Sequence, residues 1–336
     1  MSILLTGGLG YIGSHTCVCL LDKGYDVIII DDLSNSKIQV LDAIKEISKK
    51  DVKFYQFNLL DYQKTRKVFE ENNISTVVHF AGFKAVGESV QKPLLYYENN
   101  IGSTINLLKA MQEFNVNNFV FSSSATVYGQ AKTMPITEDF KTGETTNPYG
   151  RTKFFIEEIL KDVCKSNPKF NVMDLRYFNP IGAHESGLLG EDPNGIPNNL
   201  MPYMVKVALG KLPQLNIFGN DYDTPDGTGV RDYIHIMDLA EGHICAVQKV
   251  ESAPAGFEVD NLGSGCGYSV LNLVDTFNKV NPKKITYVIT ARRPGDIDIC
   301  YASIEKAKRE LNWSPKRTLA EMCISSYIFG EKNIKD

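Results

Sequence analysis

Short apolar runs, each closed by small or polar residues, recur through the first half of the chain and alternate with longer segments whose apolar residues return at helical spacing. Ile3-Leu4-Leu5-Thr6, Tyr25 to Ile30, Val52 to Phe57, Thr76 to Phe80, Asn118 to Ser122 and Val172 to Phe178 are the runs. Most are continuously apolar, as in strands buried on both faces, so they predict a parallel sheet with helices between successive strands. Pro93 opens a long helix, and a second begins near Tyr149 and carries Phe154, Phe155, Ile156, Ile159, Leu160 and Val163. That is more apolar surface than one sheet contact needs, so part of it is expected to meet another subunit. Beyond Asn179-Pro180-Ile181-Gly182 the periodicity becomes irregular. Glycine, proline and asparagine concentrate in 182–202 and 219–229, as in loops that wrap a ligand.

Two local patterns bring chemistry into this frame. Gly7, Gly10 and Gly13 lie between the first strand and the first helix. Missing side chains there permit a tight turn and close approach of a pyrophosphate to a helix N-terminus, where amides and dipole favour an anion. The second strand ends in Asp31-Asp32, and an acid at that point can accept hydrogen bonds from ribose hydroxyls while repelling a 2'-phosphate, which favours NAD over NADP. The second pattern is Tyr149-Gly150-Arg151-Thr152-Lys153, a phenol and an ammonium one helical turn apart on one face. A free tyrosine titrates near pH 10, so service as a base near neutrality requires a fixed positive charge, which Lys153 can supply.

Composition narrows the partners. A net charge of -4 with scattered Lys and Arg leaves no footprint for nucleic acid or an anionic membrane. Seven cysteines without a C-x-x-C pair and five scattered histidines offer no metal spacing and point to reduced thiols in the cytoplasm. No stretch approaches about 18 uninterrupted apolar residues, so no membrane span is expected.

With Ser122-Ser123-Ser124 closing the fifth strand, the glycine turn, Tyr149 and Lys153 resemble the extended branch of the short-chain dehydrogenase/reductase superfamily, and within it the nucleotide-sugar 4-epimerases. The likeness runs from Ile3 to about Leu319. It implies a Rossmann-type doubly wound α/β sheet over 1–180 and a smaller mixed α/β substrate domain over 181–336, with some chain interleaving back. The implied catalytic residues are Tyr149, Lys153 and Ser124, with Ser124 binding a sugar hydroxyl. Implied NAD contacts extend from the glycine turn through Tyr11 and Ile12, and from the second strand through Asp31, Asp32, Leu33, Asn35 and Ser36. Asn58, where relatives usually carry aspartate, and Leu59 fall on the adenine side. Phe80, Ala81, Gly82, Lys84, Asn99, Ser122 and Phe178, with Tyr149 and Lys153, complete the set.

For the UDP-sugar the resemblance implies Lys84, Ser124, Tyr149, Asn179, Asn199, Leu200, Phe218, Arg231, Arg293, Asp296 and Cys300. Guanidinium forks suit a diphosphate. Asn199 can also cap a helix starting at Leu200. The implied reaction moves the proton of the sugar 4-hydroxyl to Tyr149 and the hydride from C4 to NAD, then returns both after the 4-keto sugar has turned, with C4 inverted. A 4,6-dehydratase would need Asp-Glu where Ala125-Thr126 stand, and a C6 dehydrogenase would need a cysteine nucleophile. An NAD-binding scaffold of the same fold has no use for Ser124, Tyr149 and Lys153. Cys300 falls where relatives that accept only the unacetylated UDP-hexoses carry tyrosine, which implies room for an acetamido group. A homodimer is expected on the helices from Pro93 and Tyr149, through Leu94, Tyr97, Ile101, Ile105 and Leu108.

Overall fold

Strand pairing in the computed structural model, which describes residues 1–195, 197–293 and 296–334, follows the buried runs of the sequence. The first half contains β1 (Ser2–Thr6), α1 (Tyr11–Asp22), β2 (Asp26–Asp31), α2 (Gln39–Ser48), β3 (Lys53–Gln56), α3 (Tyr62–Glu71) and β4 (Ile74–His79). Then come α4 (Val86–Gln91), α5 (Pro93–Tyr96), a π-helical segment Tyr97–Ile101, α6 (Gly102–Glu113), β5 (Asn118–Ser124), the 3-10 turn Ala125–Tyr128, α7 (Pro148–Ser166) and β6 (Asn171–Tyr177). The second half adds β7 (Asn179–Ile181), α8 (Leu200–Ala208), β8 (Leu215–Phe218), β9 (Val230–Arg231), β10 (Tyr233–His235), α9 (Ile236–Ser252) and β11 (Gly256–Leu262). It ends with β12 (Tyr268–Ser269), α10 (Val270–Val280), β13 (Tyr287–Thr290), β14 (Ile299–Cys300), α11 (Glu305–Glu310) and α12 (Leu319–Asn333).

Seven strands form the main sheet in the order β11-β6-β5-β4-β1-β2-β3. β1 pairs in parallel with both β2 and β4, so Leu4 stands between Ile28 and Val77. This central position explains why Ile3, Leu4 and Leu5 are wholly buried. From β1 the chain builds outward first through β2 and β3 and then, from the opposite side, through β4, β5 and β6. The order reverses between β1 and β4, the point at which doubly wound sheets open a crevice at their carboxyl ends. Helices cover the sheet through Leu107, Met111, Ile156 and Leu160, packed with Leu4, Val77, Phe119 and Phe121. Each such side chain contributes roughly 1.5–3 kcal/mol by leaving water.

The chain divides into two compact units. The first holds Met1–Gln130, Asp139–Tyr177 and Ala240–Asp260, and the second holds Ala131–Glu138, Phe178–Leu239 and the described residues from Asn261 on. In the second unit β7 pairs with β10, β8 with β13, and β9 lies between β12 and β14. A separate core of Met201, Met204, Leu273, Phe277, Met322 and Tyr327 binds α8, α10 and α12 together. Thr318 and Glu321 close a reciprocal capping box at the start of α12.

Several elements differ from the sequence expectation. The helix from Pro93 is interrupted by the π segment, which carries Asn99 and Asn100; Asn100 accepts from the Phe83 amide at 2.8 Å and donates to the Phe83 carbonyl and to Thr152. Widened turns of this kind recur beside functional sites. β5 continues through all three serines, and the second half, irregular by periodicity, contains three substantial helices besides α8. The apolar stripe on the Pro93 helix splits: Leu108 is core, whereas Leu94 is 80% and Ile105 37% exposed.

Candidate active site

The glycine turn is fixed by sterics. Gly7 has φ of +68°, and a Cβ there would stand 2.8 Å from the Ala81 amide nitrogen. A Cβ on Gly13 would stand 2.4 Å from the Gly7 carbonyl, so both positions exclude a side chain. Gly10 precedes α1 and provides no side-chain cap, which leaves the positive end of the helix uncovered by a side-chain acceptor. Asp31, nearly buried at the end of β2, accepts from the Leu9 amide at 3.0 Å, the Leu33 amide at 2.9 Å and the Ser36 hydroxyl at 2.7 Å. Burial pushes its carboxyl above the ordinary range, against the pull of those donors. Asp32 accepts from the Ser34 amide and, at 2.7 Å, from the amide of Asn58, whose oxygen in turn accepts from Leu60. Asn58 therefore braces Asp32 as well as lying at the end of β3. A glycine cradle that a Cβ would fill, an uncapped helix start and a carboxylate at the next strand end together fit a dinucleotide such as NAD. Phe80 and Ala81 continue β4 with both amides on the Thr6 carbonyl, Gly82 beside them is exposed, and Lys84 is exposed on the following loop.

Tyr149 and Lys153 are placed by α7. Asn147 caps the helix by accepting from the Gly150 amide at 2.9 Å, and Pro148 occupies its first turn. One turn on, Lys153 is 5% exposed; its Nζ donates to the Ser122 carbonyl at 2.5 Å and lies 4.8 Å from the centre of the Phe121 ring. Burial lowers its pKa to about 8, with Asp174 and Glu157 opposing the fall. The half-buried Tyr149 phenol is raised by burial, and its hydrogen bond with Ser124 works the other way. Burial thus outweighs the lowering by Ser124. Ser124 Oγ also accepts from the hydroxyl and amide of Thr126. His79, within apolar β4, is bonded by Thr6 at 2.6 Å and Thr104 at 3.0 Å, and burial lowers it to about 3, so it is a neutral core histidine.

Beneath this group lies a buried charge cluster that the sequence reading did not single out. Arg176 donates through Nε and Nη2 to the two oxygens of Glu157 at 3.0 and 2.6 Å. Ser123 donates to Glu157 at 2.6 Å, and Asp174 lies 3.8 Å from Arg176 Nε. The available signal was spacing: Glu157 follows Lys153 by one helical turn. Burial, with the negative Glu157 beside it, holds the Asp174 carboxyl well above the ordinary range, against the pull of Arg176.

The second unit gathers most of the other candidates. Arg231 donates to Asp296 at 2.5 Å, and Arg293 reaches the other oxygen of Asp296 at 3.3 Å while its guanidinium lies 4.8 Å from the centre of the Phe218 ring. Cys300 on β14 is paired in register with Arg231 on β9. Pro294 and Gly295 of the Arg292 to Asp296 motif lie outside the described residues. Asn179 starts β7 and is exposed, and Phe178 before it is buried. Asn199 occupies the cap position of α8 next to Leu200, but its side chain does not cap: the amide donates instead to Glu191 at 2.6 Å, a charged acceptor.

Comparison with known proteins agrees with this arrangement. The profile of the GDP-mannose 4,6 dehydratase family matches residues 4–325. The chain is 57% identical over 334 residues to a UDP-glucose 4-epimerase of Bacillus subtilis (strain 168), covering 99% of this chain and 98% of the relative. The solved UDP-glucose 4-epimerase of Bifidobacterium longum in complex with NAD+ and UDP superimposes with a TM-score of 0.96 at 52% identity, over 99% of each chain. The Stenotrophomonas maltophila enzyme, solved with NAD and formylated UDP-arabinopyranose, gives 0.96 at 43% identity over 99% of this chain and 98% of that one.

The raised Asp174 carboxyl has a stability consequence. A carboxyl whose folded pKa lies above its unfolded value contributes fully below the unfolded pKa, and that contribution is lost as pH rises toward the folded pKa. Asp174→Asn, isosteric with the protonated acid, removes this loss. In urea titrations at about pH 5 and about pH 8, the wild type is expected to lose more stability than Asp174→Asn, by up to about 1.4 kcal/mol for each pH unit in which the fold holds the extra proton. Equal changes in the two proteins would show Asp174 to be ionised in the fold.

Proposed function

This chain belongs to the UDP-glucose 4-epimerases of the extended short-chain dehydrogenase/reductase superfamily, and from that premise we propose that it interconverts UDP-glucose and UDP-galactose by inverting C4. The observation that carries the proposal is the seating of Ser124 against Tyr149, with Lys153 held one turn away on the Ser122 carbonyl. Gly7, Gly10, Gly13, Asp31 and the α1 N-terminus would hold NAD. Bound NAD supplies the hydride acceptor and donor and a positively charged nicotinamide ring. Tyr149 takes the proton from the sugar 4-hydroxyl and gives it back to the C4 oxygen after the sugar has turned. Ser124, hydrogen-bonded to that phenol, is in place to share the same oxygen. Lys153 holds a cation one helical turn from the phenol, a charge of the sign that favours a phenolate. Arg231, Arg293 and Asp296, with the Phe218 ring, form a polar and aromatic grip suited to the UDP portion, so that the nucleotide is anchored and the sugar is free to turn. A dehydratase reading has no support at the corresponding turn, since Ala125 and Thr126 carry no acid pair.

The sugar pocket also concerns Cys300. It is a small residue on β14, and the neighbouring Tyr301 ring packs toward Gly267, where a Cβ would stand 3.2 Å from it. Successive residues of an extended chain face opposite ways, which supports the reading that Tyr301 does not fill the space beside Cys300. We therefore extend the proposed substrates to UDP-N-acetylglucosamine and UDP-N-acetylgalactosamine. All seven cysteines are free thiols, in keeping with a cytoplasmic enzyme. Exposed Leu94, Leu95, Ile105 and Phe155 on α5, α6 and α7 support a homodimer on that face.

Three outcomes test these readings. Tyr149→Phe keeps the ring but removes the proton carrier, so turnover of UDP-galactose should fall by roughly two orders of magnitude or more, and near-normal turnover would refute the role of Tyr149. Wild-type protein should interconvert the two acetylated UDP-sugars, and Cys300→Tyr should lose that activity while keeping UDP-galactose turnover; a wild type inert toward the acetylated pair ends the extension. Sedimentation at micromolar concentration should give a dimer, and Leu94→Asp should shift it toward monomer; a wild-type monomer disposes of the homodimer.

A further inference from the structure

We propose that Glu157 is a positioning residue for the C4 reaction, acting with Arg176 as a clamp that fixes the Ser122–Tyr128 segment on which Ser124 is carried; this rests on the assignment of Ser124, Tyr149 and Lys153 above. The clamp has two ends. At one, Ser123 donates to Glu157 Oε1 at 2.6 Å. At the other, Arg176 Nη1 donates to the Tyr128 hydroxyl at 3.0 Å, and its guanidinium lies 4.8 Å from the centre of the Tyr128 ring. The bidentate Glu157–Arg176 pair joins the ends, and Arg176 stands directly across the parallel ladder from Ser123. Between the two anchors lie Ser124 and the 3-10 turn whose Thr126 donates to Ser124.

Ser123 points away from its neighbours, because alternate residues of a strand face opposite sides. Its hydroxyl therefore holds the backbone from behind, through Glu157. The same backbone offers the Ser122 carbonyl to Lys153, one helical turn before Glu157 on α7. Helix and strand are thus locked twice, once through Lys153 and once through Glu157. Glu157 is fully buried and Arg176 almost so, and a buried ion pair is weak evidence for stability, since apolar residues of similar volume often serve as well. What an apolar pair cannot do is fix hydrogen-bond geometry at both ends of a segment that carries a reacting group.

The test separates geometry from folding. Glu157→Leu/Arg176→Leu removes both charges together and leaves neither unpaired. With NAD bound, this variant should melt within a few degrees of wild type, keep KM for UDP-galactose within about twofold and lose about tenfold or more in kcat, as misplacement of a reacting group requires. Ser123→Ala, which leaves the ion pair intact, should lower kcat by about fivefold at unchanged KM, and Ser123→Thr, which keeps the hydroxyl, should restore it. Wild-type kcat in a folded double variant overturns the proposal. If the double variant does not fold, wild-type kcat in Ser123→Ala overturns it equally. A wild-type protein inactive on UDP-galactose would strike the epimerase reading and with it the clamp's role in the C4 reaction, an outcome distinct from loss of the clamp alone, in which the wild type is active and the variants match it.

Discussion

The contact of the Lys153 ammonium with the Ser122 carbonyl, across the seam between α7 and β5, is the constraint on which the candidate chemistry depends. It carries a cation to a place where only 5% of the lysine is exposed. Charge is costly there unless it is hydrogen-bonded or paired. The carbonyl, the face of Phe121 and the neighbouring acids supply that compensation, while burial still brings the ammonium down to about 8. Because Lys153 is fixed to a strand end and Tyr149 lies one turn earlier on the same helix, the phenol is located relative to Ser124 by backbone geometry. A loop would not define that separation as well.

Burial acts on Tyr149 and Lys153 in opposite directions, raising the phenol and lowering the ammonium. In each case it is the charged form that suffers. A phenolate and an ammonium formed as a pair escape most of that penalty, since each provides the other's missing charge. The site therefore disfavours each ion standing alone.

How much of this was legible in the sequence follows from which forces local pattern records. The parallel strands at the centre, β1, β2 and β4, are buried on both faces and read as continuous apolar runs. The glycine turn was legible because steric exclusion at Gly7 and Gly13 leaves one residue type. β11 was not: Glu258, Asp260 and Asn261 break its apolar pattern, and Asn261 is satisfied by long-range bonds to Ile136 and from its own amide to Glu138. The π segment and the turned-away side chain of Asn199 escaped for a related reason, since both depend on partners distant in the chain or on a competing acceptor. Glu157 and Arg176 were hidden most fully. Charged residues in a helix and a strand read as solvated faces until the ladder between β5 and β6 brings them together.

In the second unit one carboxylate organises two guanidiniums, and this shapes what the grip can do. Asp296 accepts from Arg231 and Arg293 through different oxygens, so their side chains are ordered before any anion arrives. Ordering in advance removes part of the entropy that binding would otherwise cost. It also cancels one of the two positive charges, which leaves a moderate field in place of a strong one. Arg231, with its side chain 19% exposed, is the more confined member, and Arg293, 57% exposed over Phe218, retains freedom to adjust. In the role proposed above, a grip of this form would distinguish the planar base and diphosphate by shape and hydrogen-bond geometry more than by bulk attraction. An enzyme that must hold a nucleotide while its sugar turns, and then release it, has use for that balance: a tighter electrostatic hold would stabilise substrate and transition state alike and add nothing to the rate of the chemical step.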